Sequence, residues 1–230
     1  MASVWAQSEL TVAAAADLAD LQTPLVQSFE KQAGIHVTVT LGASGILRQQ
    51  IENGAPYDVF LSANEQYVRD LAARGVVDPA SVRIYALGRL GLWSRDSRFR
   101  DVSQLQRPDL VHLAIANPEH APYGAAARDF LQRRGIWDAV RSRVVYGENV
   151  RQALQFAETG NADAVITAWS LLVGKPDAVL LPPDHAPIRQ ALGIVASSVH
   201  KDSAREFERF LFGPEGRKLL IEHGLMPAQE

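Results

Sequence analysis

Thr40-Leu-Gly-Ala-Ser-Gly-Ile-Leu-Arg-Gln-Gln-Ile51 is the stretch of sequence that decides the fold. It follows a β-branched run at Ile35–Val39 and continues into a helical spacing of apolar residues. Gly42 and Gly45 allow the backbone to turn sharply and to bring its amides close to a ligand. Ser44 would lie where a helix exposes unpaired N–H groups and the positive end of its dipole. The stretch predicts a strand, a turn and a helix start that can hold an anion, although an ordinary N-cap in a tight turn gives the same pattern.

Strands and helices alternate along the rest of the chain. The predicted strands are Leu10–Ala14, His36–Leu41, Asp58–Ser62, Ile84–Ser94 with interruptions at Gly88 and Gly91, Val111–Ala116, a short one near Val144, Ala164–Ala168, Ala178–Leu181 and Arg189–Ala196. The predicted helices are Asp17–Ala33, Ser44–Asn53, Asn64–Arg74, Gly124–Arg134, Val150–Thr159 and two at the C-terminal end, of which a capping box at Ser203-x-x-Glu206 opens the first and Gly213-Pro214 begins the second. This order predicts an α/β fold with mostly parallel strands.

Two extended runs indicate that the chain crosses between two lobes. One is the interrupted strand around Gly88, and the other is the run from Pro187 to Ala196. A chain that leaves one lobe and returns late forms two lobes joined by two strands, with a ligand cleft between them. We therefore predict a discontinuous first lobe at residues 8–87 and 191–230 and a second lobe at residues 88–190.

Four strand-to-helix junctions carry small or polar residues suited to presenting backbone N–H groups. They are Ala14-Ala-Ala-Asp17, Gly42-Ala-Ser-Gly45, Pro122-Tyr-Gly-Ala125 and Glu148-Asn-Val150. Two fall in each predicted lobe, and ligands of doubly wound sheets lie at the carboxyl ends of the strands. Four helix starts around one cleft could bind a small dianion without a buried Lys or Arg. Each junction taken alone is also explained by a plain helix cap.

Composition excludes several classes of function. The 230 residues carry a formal net charge of −3, and no basic run indicates nucleic-acid or direct membrane binding. There are no cysteines, so disulfides and thiol nucleophiles are excluded, and the six histidines lack metal-ligand spacing. Ser44 lacks the Gly-x-Ser-x-Gly elbow of hydrolases. Val4-Trp-Ala6 fits the end of a secretory signal, so we expect residues 1–7 to be a disordered remnant of a cleaved signal peptide.

At these junctions the chain resembles the periplasmic molybdate-binding proteins (ModA) of ABC transporters. The similarity runs from Leu10 to about Pro227. The motifs that carry it are Thr11-Val-Ala-Ala-Ala-Ala-Asp-Leu18, Gly42-Ala-Ser-Gly45, Gly54-Ala-Pro-Tyr-Asp-Val-Phe-Leu-Ser-Ala63, Asn117-Pro-Glu-His-Ala-Pro-Tyr-Gly124, Glu148-Asn-Val-Arg-Gln-Ala-Leu154 and Gly213-Pro-Glu-Gly216. The resemblance implies a type II periplasmic binding protein fold, with two doubly wound α/β lobes joined by two crossover strands. It further implies a monomer in the periplasm that takes no cofactor, has a small oxyanion as ligand and an ABC transporter permease as partner, and meets the membrane only through that permease.

The resemblance also implies which positions hold the ion. Hydroxyl and backbone N–H donors bind a tetrahedral oxyanion in this family, and the matching positions are Ala16, Asp17, Ala43, Ser44, Tyr123 and Val150. Ser44 would donate its hydroxyl and N–H, Val150 its N–H, and Tyr123 its N–H or phenol. Other members use a further tyrosine near position 168, where this chain has Ala168 followed by Trp169 and Ser170.

Asp17 departs from the family, which usually has Ser or Asn at this position. An ionised carboxylate only accepts hydrogen bonds and repels a dianion. The side chain could cap the helix and turn away while its N–H faces the cleft, or it could accept a hydrogen bond from a protonated oxyanion such as hydrogen phosphate. A shifted pKa or a contact through water is the remaining alternative.

The expected function is binding of molybdate or tungstate and delivery to an ABC importer, without enzymatic activity. Phosphate, sulfate or chromate is the alternative ligand within the same class. An enzyme on a related two-lobed fold would need paired titratable groups in the cleft, for which only Asp17 is a candidate. A ligand-sensing domain of a regulator would carry a helix-turn-helix, for which the lobes leave no room.

Overall fold

A computed structural model describes residues 9–228. The predicted signal remnant at residues 1–7 lies outside the described residues. Within them the strands are β1 (Glu9–Ala15), β2 (His36–Gly42), β3 (Val59–Ser62), β4 (Arg83–Gly88), β5 (Leu90–Ser94), β6 (Leu113–Ala116), β7 (Val144–Gly147), β8 (Ala164–Ala168), β9 (Val179–Leu180), β10 (Ile188–Ile194) and β11 (Met226–Pro227).

The same residues form eight α-helices. These are α1 (Ala19–Ala33), α2 (Ser44–Glu52), α3 (Glu65–Ala73), α4 (Pro122–Arg133), α5 (Trp137–Val140), α6 (Val150–Thr159), α7 (Lys201–Phe212) and α8 (Pro214–Glu222). A 3-10 turn at Ala16–Leu18 precedes α1, and another at Trp169–Leu171 follows β8. Within residues 9–228, none of the helices combines the length and the apolar character needed to cross a membrane.

The strands form two sheets, which confirms the predicted α/β class. The first sheet has the order β11-β4-β10-β3-β1-β2, and β1 pairs in parallel with β2 and β3. The second has the order β7-β6-β8-β5-β9, with β6 parallel to β7 and β8. β1 is followed by the 3-10 turn at Ala16–Leu18, β2 by α2, β6 by α4 and β7 by α6. The starts of these helices therefore lie at the carboxyl ends of the parallel strands.

The chain crosses between the sheets in two places. It leaves the first sheet at Arg89, between β4 and β5, and returns after β9 into β10. Gly91 does not interrupt β5, contrary to expectation, but lies within it. A side chain has no room at this position, because atoms of Leu172 and Trp169 lie 2.6 and 2.9 Å from where a Cβ would be. The predicted lobe limits at residues 87/88 and 190/191 stay predictions.

Three apolar clusters fill the molecule. One lies between the first sheet and α1, α7 and α8, where Phe29 packs edge-on against Phe207 with 5.1 Å between ring centroids. The second, which includes Phe60, lies on the opposite face of the same sheet under α2 and α3. The third surrounds the second sheet and also includes Ala15 and Ala43 from the first. Apolar packing therefore continues across the junction of the two lobes.

The predicted capping box at Ser203-x-x-Glu206 is wrong. α7 begins two residues earlier, at Lys201, and its N-cap is His200. Ser198 Oγ accepts a hydrogen bond from the His200 N–H at 3.0 Å. This turn fixes the chain direction before Ser203, so the helix is already formed where the serine occurs.

Candidate anion-binding site

The starts of α2, α4 and α6 and the turn after β1 surround one cavity between the two sheets. All six residues predicted from the sequence line it, together with five neighbours: the lining residues are Ala16, Asp17, Gly42, Ala43, Ser44, Ala63, Ala121, Pro122, Tyr123, Asn149 and Val150. The cavity volume is about 10 Å³, which is close to the room of one water molecule. Residues 16–63 of the lining belong to the first lobe and residues 121–150 to the second, so the two lobes are closed against each other here.

Three of these four junctions leave the first N–H groups without a side-chain cap. The residues before the turn at Ala16–Leu18, before α2 and before α4 are Ala15, Ala43 and Ala121, and none of them makes a side-chain cap hydrogen bond. The alanine side chain has no acceptor, so the N–H groups of Ser44 and Tyr123, near the starts of α2 and α4, stay available to a ligand.

The fourth junction is capped in a way that spares one donor. The Asn149 side chain accepts from the N–H groups of Arg151 at 3.0 Å and Gln152 at 3.1 Å. The N–H of Val150, the first residue of α6, is not used by this cap. The described residues that line the cavity include no Lys or Arg, so positive potential there comes from backbone N–H groups and helix dipoles.

Ser44 is buried at the first position of α2, and its hydroxyl has a defined orientation. Its Oγ accepts a hydrogen bond from the Ala63 N–H at 3.0 Å. Because this contact uses Oγ as an acceptor, the hydroxyl hydrogen stays free to donate. Ser44 can therefore offer both its N–H and its O–H to one ligand.

Gly45 is small because the other lobe touches it. Its N–H donates to the His120 carbonyl oxygen at 2.9 Å, and a Cβ at this position would lie 2.8 Å from that same oxygen. Neither Gly42 nor Gly45 has a positive φ. The prediction that these glycines serve a sharp turn is therefore wrong for their dihedral angles, and close approach between the lobes explains Gly45 instead.

Asp17 does not turn away from the cavity. Its side chain is buried, and Oδ2 accepts hydrogen bonds from Gln190 Nε2 at 2.6 Å and from the Tyr123 hydroxyl at 3.1 Å. Oδ1 is also buried and has no hydrogen-bond partner in the protein. Burial raises the pKa of Asp17 from 3.8 to about 7, and the hydrogen bonds from Gln190, from Tyr123 and from the Asp17 backbone oppose this rise only in part.

The phenol of Tyr123 is committed to this network. Gln190 Nε2 donates to the Tyr123 hydroxyl oxygen at 2.8 Å, and the Tyr85 hydroxyl donates to Gln190 Oε1 at 2.5 Å. Burial, and after it the charge of Asp17, raises the pKa of both tyrosines well above 10, so both phenols stay neutral donors. Of the two donors predicted for Tyr123, the phenol thus binds Asp17, and the N–H in the first turn of α4 is the one left for a ligand.

Sequence reasoning missed Gln190, Tyr85 and Ser170. Ser170 follows the position where relatives were expected to have a tyrosine, and its Oγ donates to the Asp17 carbonyl oxygen at 2.7 Å. The available signal was Gln190 itself, a polar residue in β10 that alternates with the apolar Ile188 and Leu192 on one face of the strand. An amide buried in a strand needs partners, but the sequence does not show that they come from β4, α4 and the turn after β1.

This fold, with its cavity between two α/β lobes, is that of the two-lobed solute-binding proteins. The chain belongs to the bacterial extracellular solute-binding protein family, whose sequence model matches residues 10–226.

Individual relatives agree with this assignment. The chain is 34% identical over 223 residues to the molybdate-binding protein ModA of Rhodobacter capsulatus, covering 95% of this chain and 88% of that protein. It is 34% identical over 227 residues to ModA of Azotobacter vinelandii, with 94% and 89% covered. The solved structure of the periplasmic molybdate-binding protein of Azotobacter vinelandii matches with a TM-score of 0.91 and 31% identity, covering 96% of this chain and all of that one. The expected periplasmic binding protein fold and the resemblance to ModA are both confirmed.

Proposed function

We propose that this protein binds molybdate or tungstate in the cavity between its lobes and delivers the ion to an ABC importer. The observation that carries the proposal is the set of free donors around one cavity: the N–H groups at the starts of α2, α4 and α6 and the hydroxyl of Ser44. Such donors stabilise a dianion without a basic side chain. The names of the relatives support molybdate as the ion.

The ligand contacts follow from the geometry of each junction. Ala16, Asp17, Ala43 and Val150 would present backbone N–H groups, Tyr123 would donate its N–H, and Ser44 its N–H and hydroxyl. The lining of the cavity comes from both lobes, so separation of the lobes would open a path for the ion and their closure would surround it. Closure excludes water and leaves donors unpaired when a smaller anion is bound, which favours the larger ion.

The setting of this activity follows from the family. A member of an extracellular solute-binding family acts outside the cytoplasmic membrane, and we place this chain in the periplasm. All the proposed donors come from one chain, so the site needs no second copy and the protein acts as a monomer. Its partner is a membrane-bound permease that receives the ion when the lobes open, and no resident cofactor takes part.

Phosphate is the second candidate ligand, because of Asp17. An ionised carboxylate with a free Oδ1 could accept a hydrogen bond from a protonated oxyanion such as hydrogen phosphate, which fully ionised molybdate cannot supply.

Titration calorimetry of the purified protein with molybdate, tungstate, sulfate, phosphate and chromate decides between these ligands. We expect tight binding of molybdate and tungstate and much weaker heats with sulfate and phosphate. If only phosphate binds, phosphate and not molybdate is the ligand. If no anion gives heat, the transport function is rejected.

A further inference from the structure

We infer that the protein binds its dianion with Asp17 protonated, so that Oδ1 donates a hydrogen bond to the anion and one proton is taken up with each ion. This inference rests on the proposed function and defines how the same site is regulated. The proton comes from solvent and resides on Oδ1. No covalent bond of the anion forms or breaks.

The hydrogen-bond geometry assigns the two carboxyl oxygens different roles. Oδ2 accepts from Gln190 Nε2 at 2.6 Å and from the Tyr123 hydroxyl at 3.1 Å. Two donors already point at Oδ2, which leaves Oδ1 as the oxygen able to carry a proton. Oδ1 is fully buried, has no protein partner, and belongs to a residue that lines the cavity. A hydroxyl on Oδ1 would have one acceptor available to it, an oxygen of the bound ion.

Gln190 presents its donor group, and not its carbonyl oxygen, to Asp17. Gln190 Oε1 is occupied by the Tyr85 hydroxyl at 2.5 Å, which directs the amide group of Gln190 toward Asp17. The network therefore fixes the direction of donation from Tyr85 through Gln190 to Asp17. It holds the carboxyl group in place whether or not Oδ1 is protonated.

Among residues 9–228, no positively charged side chain hydrogen-bonds to the Asp17 carboxyl group or lines the cavity with it. The groups that face it from the neighbouring elements are neutral: the phenols of Tyr85 on β4 and Tyr123 on α4, the amide of Gln190 on β10, the hydroxyls of Ser170 and of Ser44 on α2, and the apolar Val150 on α6. Of these, only the two phenols titrate, and their pKa values are raised well above 10. No charged residue is among the causes that set the pKa of Asp17.

An ionised Asp17 would place three negative charges in one dry cavity when a dianion binds. Like charges this close repel strongly where water is excluded. The pKa of Asp17 is already raised to about 7 without the anion, and an adjacent dianion raises it further. Protonation removes the repulsion and converts an acceptor into a donor, which is the hydrogen-bonding role of the Ser or Asn expected here in the family.

The sign of the pH dependence follows. Below about pH 7 the carboxyl of the free protein is already protonated, so affinity for a fully ionised anion is independent of pH. Above this pH the proton must be taken up on binding, so affinity falls about tenfold per pH unit.

Calorimetric titration of the wild-type protein with molybdate from about pH 6 to about pH 8.5 tests the inference. Oxyanion-free buffers with different ionisation enthalpies report the number of protons exchanged. We expect close to one proton to be taken up per ion at the alkaline end and almost none at the acid end. Above about pH 7 the affinity should fall about tenfold per pH unit. Infrared difference spectra of the complex at about pH 8 should show a protonated carboxyl band.

Two variants give the matched comparison. Asp17→Asn keeps a donor at the Oδ1 position and cannot titrate; we expect affinity within a few-fold of wild type at about pH 6, no proton uptake, no pH dependence and no carboxyl band. Asp20→Asn removes the same charge from an exposed position three residues away. It should behave as wild type in every measurement.

Each contrary result is distinct. Molybdate binding without proton uptake, or an unchanged pH profile in Asp17→Asn, overturns the inference and leaves the proposed function standing. Selective phosphate binding that Asp17→Asn abolishes shows that the carboxylate is an acceptor and overturns both. Absence of binding to any anion at any pH rejects the proposed function and the inference together.

Discussion

At Asp17 a carboxyl group is kept out of water by the closed lobes and receives hydrogen bonds from the neutral donors Gln190 and Tyr123. Ser44 lies at the neighbouring junction, and there the Ala63 N–H occupies the acceptor side of the hydroxyl. In both cases hydrogen bonds within the protein fix the orientation of the side chain, and one polar atom stays free. The chemistry of the cavity is therefore set by the polar atoms that these hydrogen bonds leave unpaired.

Ser44→Ala should weaken molybdate binding by about 1–3 kcal/mol, because one oxygen of the ion loses a donor and the Ala63 N–H loses its acceptor. Titration calorimetry measures the change. Ser94→Ala is the control, since Ser94 is equally buried but bonds the Asp163 carbonyl oxygen in the second lobe and does not line the cavity. An Ser44→Ala variant that binds as tightly as wild type would show that the ion does not contact this junction.

Asp17→Asn should stabilise the anion-free protein at neutral and alkaline pH. The folded-state pKa is about 7 and the ordinary value is 3.8, so between these values the unfolded chain releases a proton that the folded chain keeps. The free energy of unfolding of the wild type therefore falls as pH rises through this window, by on the order of 4 kcal/mol. The variant should lack this loss.

Urea unfolding of both proteins at about pH 4.5 and about pH 8 checks this. The stability difference should favour Asp17→Asn clearly more at the higher pH. An equal difference at both pH values would mean that Asp17 titrates normally in the folded protein.

The bounds of helices could be predicted from the sequence where residues at the helix ends determine them. Val150–Thr159 is α6 to the residue because Asn149 caps one end and Gly160, with a φ of 82°, ends the other. Local signals do not report tertiary contacts, so Gly45 was interpreted as a turn residue when it is a contact with His120. The network of Gln190 with Tyr85 was missed for the same reason: its members are 105 residues apart in sequence.

Gly45→Ala should impair closure of the lobes. The new Cβ would meet the His120 carbonyl oxygen at 2.8 Å, a backbone atom that cannot rotate aside. Alanine favours the helix by up to about 1 kcal/mol, so α2 itself should not be weakened. We expect weaker molybdate binding with no loss in thermal stability of the anion-free protein.

Gly42→Ala is the control for this variant, because its Cβ would meet only the flexible Leu47 side chain at 3.3 Å. Small-angle scattering with molybdate present should show a more open Gly45→Ala protein. If Gly45→Ala became as compact as the wild type when molybdate is added, the contact of Gly45 with His120 would not be needed for closure of the lobes.

Asp58, directly before β3, joins that strand to β1 and to the turn ahead of α7. It accepts hydrogen bonds from the Thr11 N–H at 2.7 Å on β1 and from the Ser198 hydroxyl at 2.7 Å ahead of α7. Burial alone would raise the pKa of Asp58, but these hydrogen bonds, with that from His200, bring it below 3.8.

Asp58→Ala should lower the free energy of unfolding by about 2–3 kcal/mol at neutral pH, since charged hydrogen bonds are lost and their donors are left unpaired. The wild type should also lose stability as pH falls below 3.8 and through the lowered pKa, because the carboxylate form is the one that the fold favours. Urea unfolding at neutral and acid pH measures both. Equal stability of the two proteins at neutral pH would contradict the role given to Asp58.

The whole molecule combines two sheets, two crossings and a cavity at the helix starts whose lining comes from both lobes. The arrangement could be anticipated because four similar junctions occur in the order that doubly wound lobes require. What could not be anticipated is the closeness of the lobes, which depends on contacts such as Gly45 with His120 and Ser170 with Asp17. In the proposed function, neutral donors drawn from both lobes would hold the ion when the lobes are closed and release it when they part, since no ion pair has to be broken.

Crystals grown with tungstate test this account most directly, through anomalous diffraction at the tungsten absorption edge. The account predicts one strong tungsten peak between the lobes, within hydrogen-bond distance of the Ser44 hydroxyl and the N–H groups of Ser44, Tyr123 and Val150. A tungsten peak on an outer face of either lobe, or bound to Lys or Arg side chains away from these helix starts, would contradict it.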